Sequence, residues 1–178
     1  MSNAITGERF VWRATRASTG GEHCEFDLHL APHAAVAAPH AHPRQTETFT
    51  VLSGSVTFRR GRGRRELVTA GPGESVHIPV GVPHSWGNAD PGGSVVRVRL
   101  APALRTEEYF ATFCAVATSG RASRMGFARN PLQLAVIMTD HLDEFAAPNP
   151  VAQAILVPSL RALAVLGRRL GYRSTVRI

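Results

Sequence analysis

Apolar and polar positions alternate in short runs through the first hundred residues. Residues 22–30 show this period of two most clearly, with one apolar face made of Cys24, Phe26, Leu28 and Leu30. Alternation of this kind is typical of a half-buried strand. Similar runs, separated by Gly and Pro, occupy residues 46–51, 54–60, 65–70, 74–79, 83–88 and 94–100. Regularly spaced short strands with turn signals between them predict a sandwich or barrel.

The period changes to that of helices after Pro102. Thr106 is a candidate N-cap for a first helix that stops near Gly120. Asn-Pro pairs at residues 130–131 and 149–150 place a cap before a first-turn proline and so predict two further helices. Each helix has an apolar stripe that needs covering. We therefore expect a β-sandwich or β-barrel at residues 7–102 and a helical extension at residues 103–178.

The chemically informative residues fall in two clusters. His40 and His42 are two apart, so on a strand their imidazoles project from one face, and Glu47 follows after a turn at Pro43. The second cluster presents His84 after a turn containing Pro79 and Gly81. Three imidazoles and one carboxylate suit a divalent transition metal such as Fe, Mn, Ni or Zn and leave coordination positions open. A structural zinc site would more often use cysteines.

Both clusters resemble the signature motifs of the cupin superfamily. The first matches as His-x-His, four residues, Glu, six residues, Gly54; the second as Gly73, five residues, Pro-x-Gly, two residues, His84, three residues, Asn88. The resemblance departs at Ala34, where the family has glycine. It implies a mainly β fold, an antiparallel jelly-roll barrel, with His40, His42, Glu47 and His84 as metal ligands.

Alternation also indicates what surrounds these ligands. Side chains two apart on a strand share a face, so an inward Glu47 brings Phe49 and Val51 inward, and His84 brings Trp86. Phe58 is expected to join them from the next strand. The predicted substrate pocket is therefore apolar and aromatic: Phe49, Val51, Phe58 and Trp86. Glu47 is also the candidate catalytic base.

Charge and composition indicate which classes of molecule the protein is expected to bind. The net charge is +7, yet all 20 basic residues are arginine, and the five between Arg59 and Arg65 crowd one hairpin tip without interleaved aromatics. We therefore expect no nucleic-acid site. No run approaches the ~18 consecutive apolar residues of a membrane span, and no signal peptide is visible at the start, so we expect a cytoplasmic protein with no membrane partner.

Several functions stay open on the sequence. The leading hypothesis is a metalloenzyme of the dioxygenase, isomerase or lyase type that acts on a small organic molecule. The alternative is a non-catalytic sensor or small-ligand-binding cupin. A transcription regulator is disfavoured, because the helix junctions carry no short Gly-containing turn of a helix-turn-helix. The helices are expected to form a lid or a homodimer interface instead.

Overall fold

The computed structural model describes residues 1–34, 39–61, 66–88 and 90–175. Eight strands precede three helices. The strands are β1 (Arg9–Ala14), β2 (Cys24–Leu30), β3 (Thr46–Ser53), β4 (Val56–Arg60), β5 (Glu66–Ala70), β6 (Ser75–Ile78), β7 (His84–Asn88) and β8 (Ser94–Ala101). The helices are α1 (Thr106–Thr118), α2 (Pro131–Asp140) and α3 (Pro150–Arg169).

Two antiparallel sheets face each other across a common core. One has the strand order β1-β2-β8-β3-β6 and the other β5-β4-β7. Phe49 of the first sheet packs on Phe58 of the second, with ring centroids 4.9 Å apart. The inner face of β2 is buried as its alternation predicts, from Cys24 through Leu30. The prediction of a mainly antiparallel β fold with a helical extension is confirmed; the described strands form two sheets rather than one closed barrel.

Two of the three predicted N-cap residues are confirmed and one is wrong. Asn130 and Asn149 each accept hydrogen bonds from two backbone N–H groups of the following turn, as expected of N-caps. Thr106 does not cap α1, because it is the first helical residue and Arg105 holds the cap position. The Thr106 hydroxyl instead accepts a 2.9 Å hydrogen bond from the Gln45 side chain. Gln45 thus joins the loop of the first motif to the start of the helical extension.

The helices fold back over one end of the sheets. Phe110 of α1 packs against Phe10 and Phe26, with ring centroids 4.8 and 5.3 Å away, respectively. Ala41 and Ala146 form an isolated antiparallel bridge, with Ala41 N–H donating to Ala146 O at 3.0 Å and Ala146 N–H to Ala41 O at 2.8 Å. The segment between α2 and α3 therefore lies beside the backbone that carries His40 and His42.

Helix α3 is long and apolar but little covered. Its mean hydropathy over an 18-residue window is 1.5, and 11% of that window is buried, so by length and composition it could cross a membrane. The core helix of a soluble protein can pass the same test of length and hydropathy, but such a helix is mostly buried, whereas α3 is not.

Candidate metal centre

Backbone pairing brings the two motifs together. The strand residue His84 forms an antiparallel bridge with His40, with backbone N···O distances of 2.8 and 3.1 Å. A further backbone bond joins Gly81 N–H to His42 O at 2.8 Å. The turn before β7 is thereby fastened to the His-x-His segment. The imidazoles of His40 and His84 lie 4.5 Å apart between centroids.

The four predicted ligands converge on one point. One ligand atom each of His40, His42, Glu47 and His84 lies within 4.8 Å of the other three. Glu47 Oε2 is 3.1 Å from His42 Nε2 and 2.9 Å from His84 Nε2. Three of the four side chains are buried, and His40 is half-buried. The sequence prediction that these residues meet therefore agrees with the geometry.

Two of the imidazoles are held so that Nε2 faces the centre of the cluster. His42 Nδ1 lies 2.6 Å from the carbonyl oxygen of Glu144, and His84 Nδ1 lies 3.2 Å from that of Val82. A carbonyl only accepts, so each Nδ1 carries the proton and each Nε2 keeps its lone pair for a metal.

The His84 ring supplies a test of whether a metal fits. His84 Nε2 is buried and has no hydrogen-bond partner in the described chain, although Glu47 Oε2 is nearby. Buried polar atoms are seldom left unsatisfied in folded proteins. A divalent cation coordinated by Nε2 would satisfy it, so these residues fit the metal that the donor set implies.

The surroundings of Glu47 favour its ionised form, which is the form that binds a cation. Burial would raise the pKa of its carboxyl, but the adjacent His42 and His84 imidazoles outweigh burial and hold that pKa well below its usual range. For His42, burial acts to lower the pKa, and the Glu47 carboxylate outweighs it and raises the pKa. Glu47 is thus a carboxylate in the folded protein. Its role as a catalytic base stays a prediction.

The cluster opens into an apolar cavity of about 340 Å³ between the sheets and the helices. Phe49 and Trp86 line it, as predicted. Val51 and Phe58 do not line it and are instead fully buried in the core. The Phe49 ring packs on Phe58 and separates it from the cavity. Val51 lies two residues after Phe49 on β3 and is therefore farther from Glu47. Two of the four predicted pocket residues thus line this cavity, and its role as a substrate pocket stays a prediction.

Much of the cavity wall comes from the helical extension, whose individual wall residues sequence reasoning did not identify. It is supplied by α1, by the loop after it, by the α2–α3 connection and by the inner side of α3: Phe110, Met125, Phe127, Phe145, Leu156 and Leu160. Phe145 also packs on the ligands, with its ring centroid 5.7 Å from His40 and 5.2 Å from His42. No local pattern distinguishes Phe145 from an ordinary core residue.

A second unpredicted residue is Glu8, a carboxyl in the cavity wall that is 8% exposed. Its side chain accepts a 2.8 Å hydrogen bond from the Thr6 hydroxyl. Burial raises the pKa of Glu8, and the Thr6 bond offsets only part of that effect. Glu8 precedes β1, so no strand alternation predicted its direction.

Comparison with known proteins agrees with this geometry. The family model of the cupin domain matches residues 26–97, which include all four clustered residues. This chain contains a cupin domain. The match covers about two fifths of the chain and leaves the helical extension outside it. No curated protein matches the chain.

Solved structures with related sheets differ widely in sequence. A double-stranded β-helix protein from Klebsiella pneumoniae is 24% identical over 47% of this chain and 66% of its own, with a TM-score of 0.43. KdgF from a Halomonas species is 18% identical over 56% of this chain and 81% of its own (TM-score 0.47). A cupin-superfamily sugar phosphate isomerase from Silicibacter pomeroyi is 19% identical over 57% of this chain and 65% of its own (TM-score 0.46). At these values the similarities carry no information on function.

Proposed function

We propose that this cupin domain binds one divalent transition metal, of the Fe, Mn, Ni or Zn group, through His40, His42, Glu47 and His84. The supporting observation is the convergence of four donors, one of them an unsatisfied buried nitrogen, at the wall of an apolar cavity. Three neutral imidazoles and one carboxylate leave a divalent ion with net positive charge and open positions.

We further propose that the protein is a metalloenzyme for a small organic molecule with an apolar body, of the dioxygenase, isomerase or lyase type. A metal bound here would supply Lewis-acid polarisation of a substrate oxygen. The chain supplies the rest. His42 and His84 fix the donor atoms through their carbonyl partners, while Phe49, Trp86 and Phe145 exclude water and hold the apolar part of the ligand. The cavity volume lies at the lower end of the range for small-molecule sites.

The first experiment measures metal content in protein purified without chelators. We expect about one metal ion per chain, or uptake of one on titration with Mn, Fe, Ni or Zn. His84→Ala should abolish stoichiometric binding, because it removes the ligand that joins the second motif to the first. His77→Ala is the matched control, since the His77 side chain is exposed on β6 and bonds the Thr48 hydroxyl. A protein that takes up none of the four metals would refute the proposal.

A second experiment measures oxygen uptake to distinguish a dioxygenase from an isomerase or lyase. The metal-loaded protein is assayed with diols, enols and carboxylates that carry an aromatic or branched aliphatic body. Oxygen consumption that His84→Ala abolishes supports a dioxygenase; substrate loss without oxygen supports an isomerase or lyase. Tight binding of such a molecule without turnover would favour the alternative, a ligand-binding or sensor cupin.

A further inference from the structure

Helix α3 presents an apolar surface to solvent, which we call the outer face: Val151, Ile155, Pro158, Ala162, Val165 and Leu166. At 3.6 residues per turn these positions fall within about 100° of one another. Val151 is 67% exposed, Ile155 68%, Val165 51% and Leu166 49%. Within that sector the one polar residue is Arg169, in the last turn. Contiguous exposed apolar surface of this kind marks an interaction site.

The opposite side of α3 packs against the rest of the chain. Ala164 and Gly167 are buried against α2, and a Cβ at Gly167 would lie 2.9 Å from Val136 Cγ2 and 3.0 Å from Leu132 O. Leu156, Val157 and Leu160 line the cavity. Because one side of α3 is packed on its own chain, the helix can lie against a partner surface but cannot span a bilayer without leaving α2.

The charge around the outer face identifies the partner. Residues 145–178 contain five arginines and no Asp or Glu. Arg168 is paired with Asp140 at 2.5 Å, but Arg161 and Arg169 have no ion-pair partner in the described chain. A second copy docked through this face would bring four such arginines together with no Asp or Glu in residues 145–178 to pair with them, and like charges placed opposite one another disfavour association. An anionic lipid surface offers phosphates to the arginines and acyl chains to the outer face.

We infer that α3 is an interfacial membrane helix, which lays its outer face on an anionic bilayer with Arg161 and Arg169 at the headgroups. This goes beyond the proposed metal site and does not depend on it, and it replaces the sequence-based expectation that the protein has no membrane partner. The cavity lies on the inner side of the same helix, so binding would hold that cavity next to the lipid.

The test is co-sedimentation of the full-length protein with vesicles of POPC alone and of POPC with 30 mol% POPG. We expect binding to the anionic vesicles that is at least tenfold stronger than to POPC and that falls as salt rises. Ile155→Glu and Leu166→Glu should each weaken it at least tenfold. Arg161→Gln combined with Arg169→Gln should remove most of the dependence on POPG and on salt.

Leu67→Glu is the matched control, because Leu67 is 62% exposed on β5 and lies next to the arginine-rich hairpin. Binding that is lost in Leu67→Glu but kept in Ile155→Glu would assign the membrane contact to that hairpin and overturn the inference. Absence of vesicle binding at low salt would also overturn it. So would a homodimer that Ile155→Glu dissociates while the vesicles remain unbound, since a second copy would then cover the outer face. Circular dichroism of each variant verifies that α3 is still folded.

Discussion

At the scale of single residues, the candidate site is built from side chains whose direction is fixed by backbone contacts. The imidazoles of His42 and His84 each have Nδ1 next to a backbone carbonyl oxygen. The backbone of His84 is also paired with that of His40 in an antiparallel bridge. The residue types, their spacing and the resemblance to the cupin motifs together predicted His40, His42, Glu47 and His84. They could not predict Glu144 as a partner of His42, because 102 positions separate the two residues along the chain.

Glu8 gives a residue-level prediction about pH. Its pKa in the folded state is raised above the ordinary value by burial, so the folded state binds the proton more tightly than the unfolded state. For an acid this lowers stability as pH rises from the unfolded pKa toward the folded one. Glu8→Gln should therefore unfold at higher urea than the wild type at pH 8, with a smaller difference at pH 4. Urea midpoints at the two pH values measure this; an equal difference at both would show that ionisation is not the cause.

Gly54 gives a second prediction at this scale. Its φ is +77°, and a Cβ there would lie 2.2 Å from Ser94 Oγ and 2.6 Å from Gly93 O. Left-handed backbone costs a non-glycine residue about 1–2 kcal/mol before any clash is counted. Gly54→Ala should therefore lose at least ~2 kcal/mol of unfolding free energy in urea denaturation. Gly61→Ala is the control, since its φ is also positive but no atom of the described residues lies within 4 Å of a Cβ placed there. Equal losses in the two variants would contradict the role of Ser94 and Gly93.

At the scale of elements, the connection between α2 and α3 acts as part of the metal centre. It pairs with Ala41 through Ala146, accepts a hydrogen bond from His42 Nδ1–H at Glu144 O, and places the Phe145 ring on His40 and His42. The Glu144 carboxylate in turn accepts from Arg105 N–H and lies 2.7 Å from His141 Nδ1. The sequence predicted the helices through their Asn-Pro starts, yet it could not show that the connection lies over the ligands. Such a contact depends on how α1 and α2 pack, which periodicity does not encode.

Phe145→Ala should therefore lower metal affinity by about 10–100-fold, the range found when groups that orient ligands are removed. The expected cause is looser placement of His40 and His42, and titration calorimetry with Zn measures it. Phe113→Ala is the control, because Phe113 is half-buried in the same extension and stacks on Tyr109 and Phe127 rather than on a ligand. Equal affinity losses in the two variants would mean that general destabilisation, not ligand placement, is responsible.

At the scale of the whole molecule, the open question is whether the β-sheets and the helical extension fold together. The division at residues 102 and 103 remains a prediction from the change of period. Contacts cross that division at Gln45–Thr106, at Ala41–Ala146 and at Phe110 on Phe10. The cavity itself is lined from both sides. Joint packing of this extent favours one cooperative unit.

The positions of the two tryptophans allow this to be tested. Trp12 and Trp86 lie on β1 and β7, so fluorescence reports the sheets, while the ellipticity at 222 nm reports mainly the three helices. In one cooperative unit both signals melt at the same temperature, and a bound metal stabilises both. At a free Zn concentration of 100 times Kd the gain is about 2.7 kcal/mol, which corresponds to a rise of about 5–11 °C in Tm for a chain of this size. If the ellipticity melts separately and does not respond to Zn, the extension is an independent module and the contacts at His42 do not couple it to the metal.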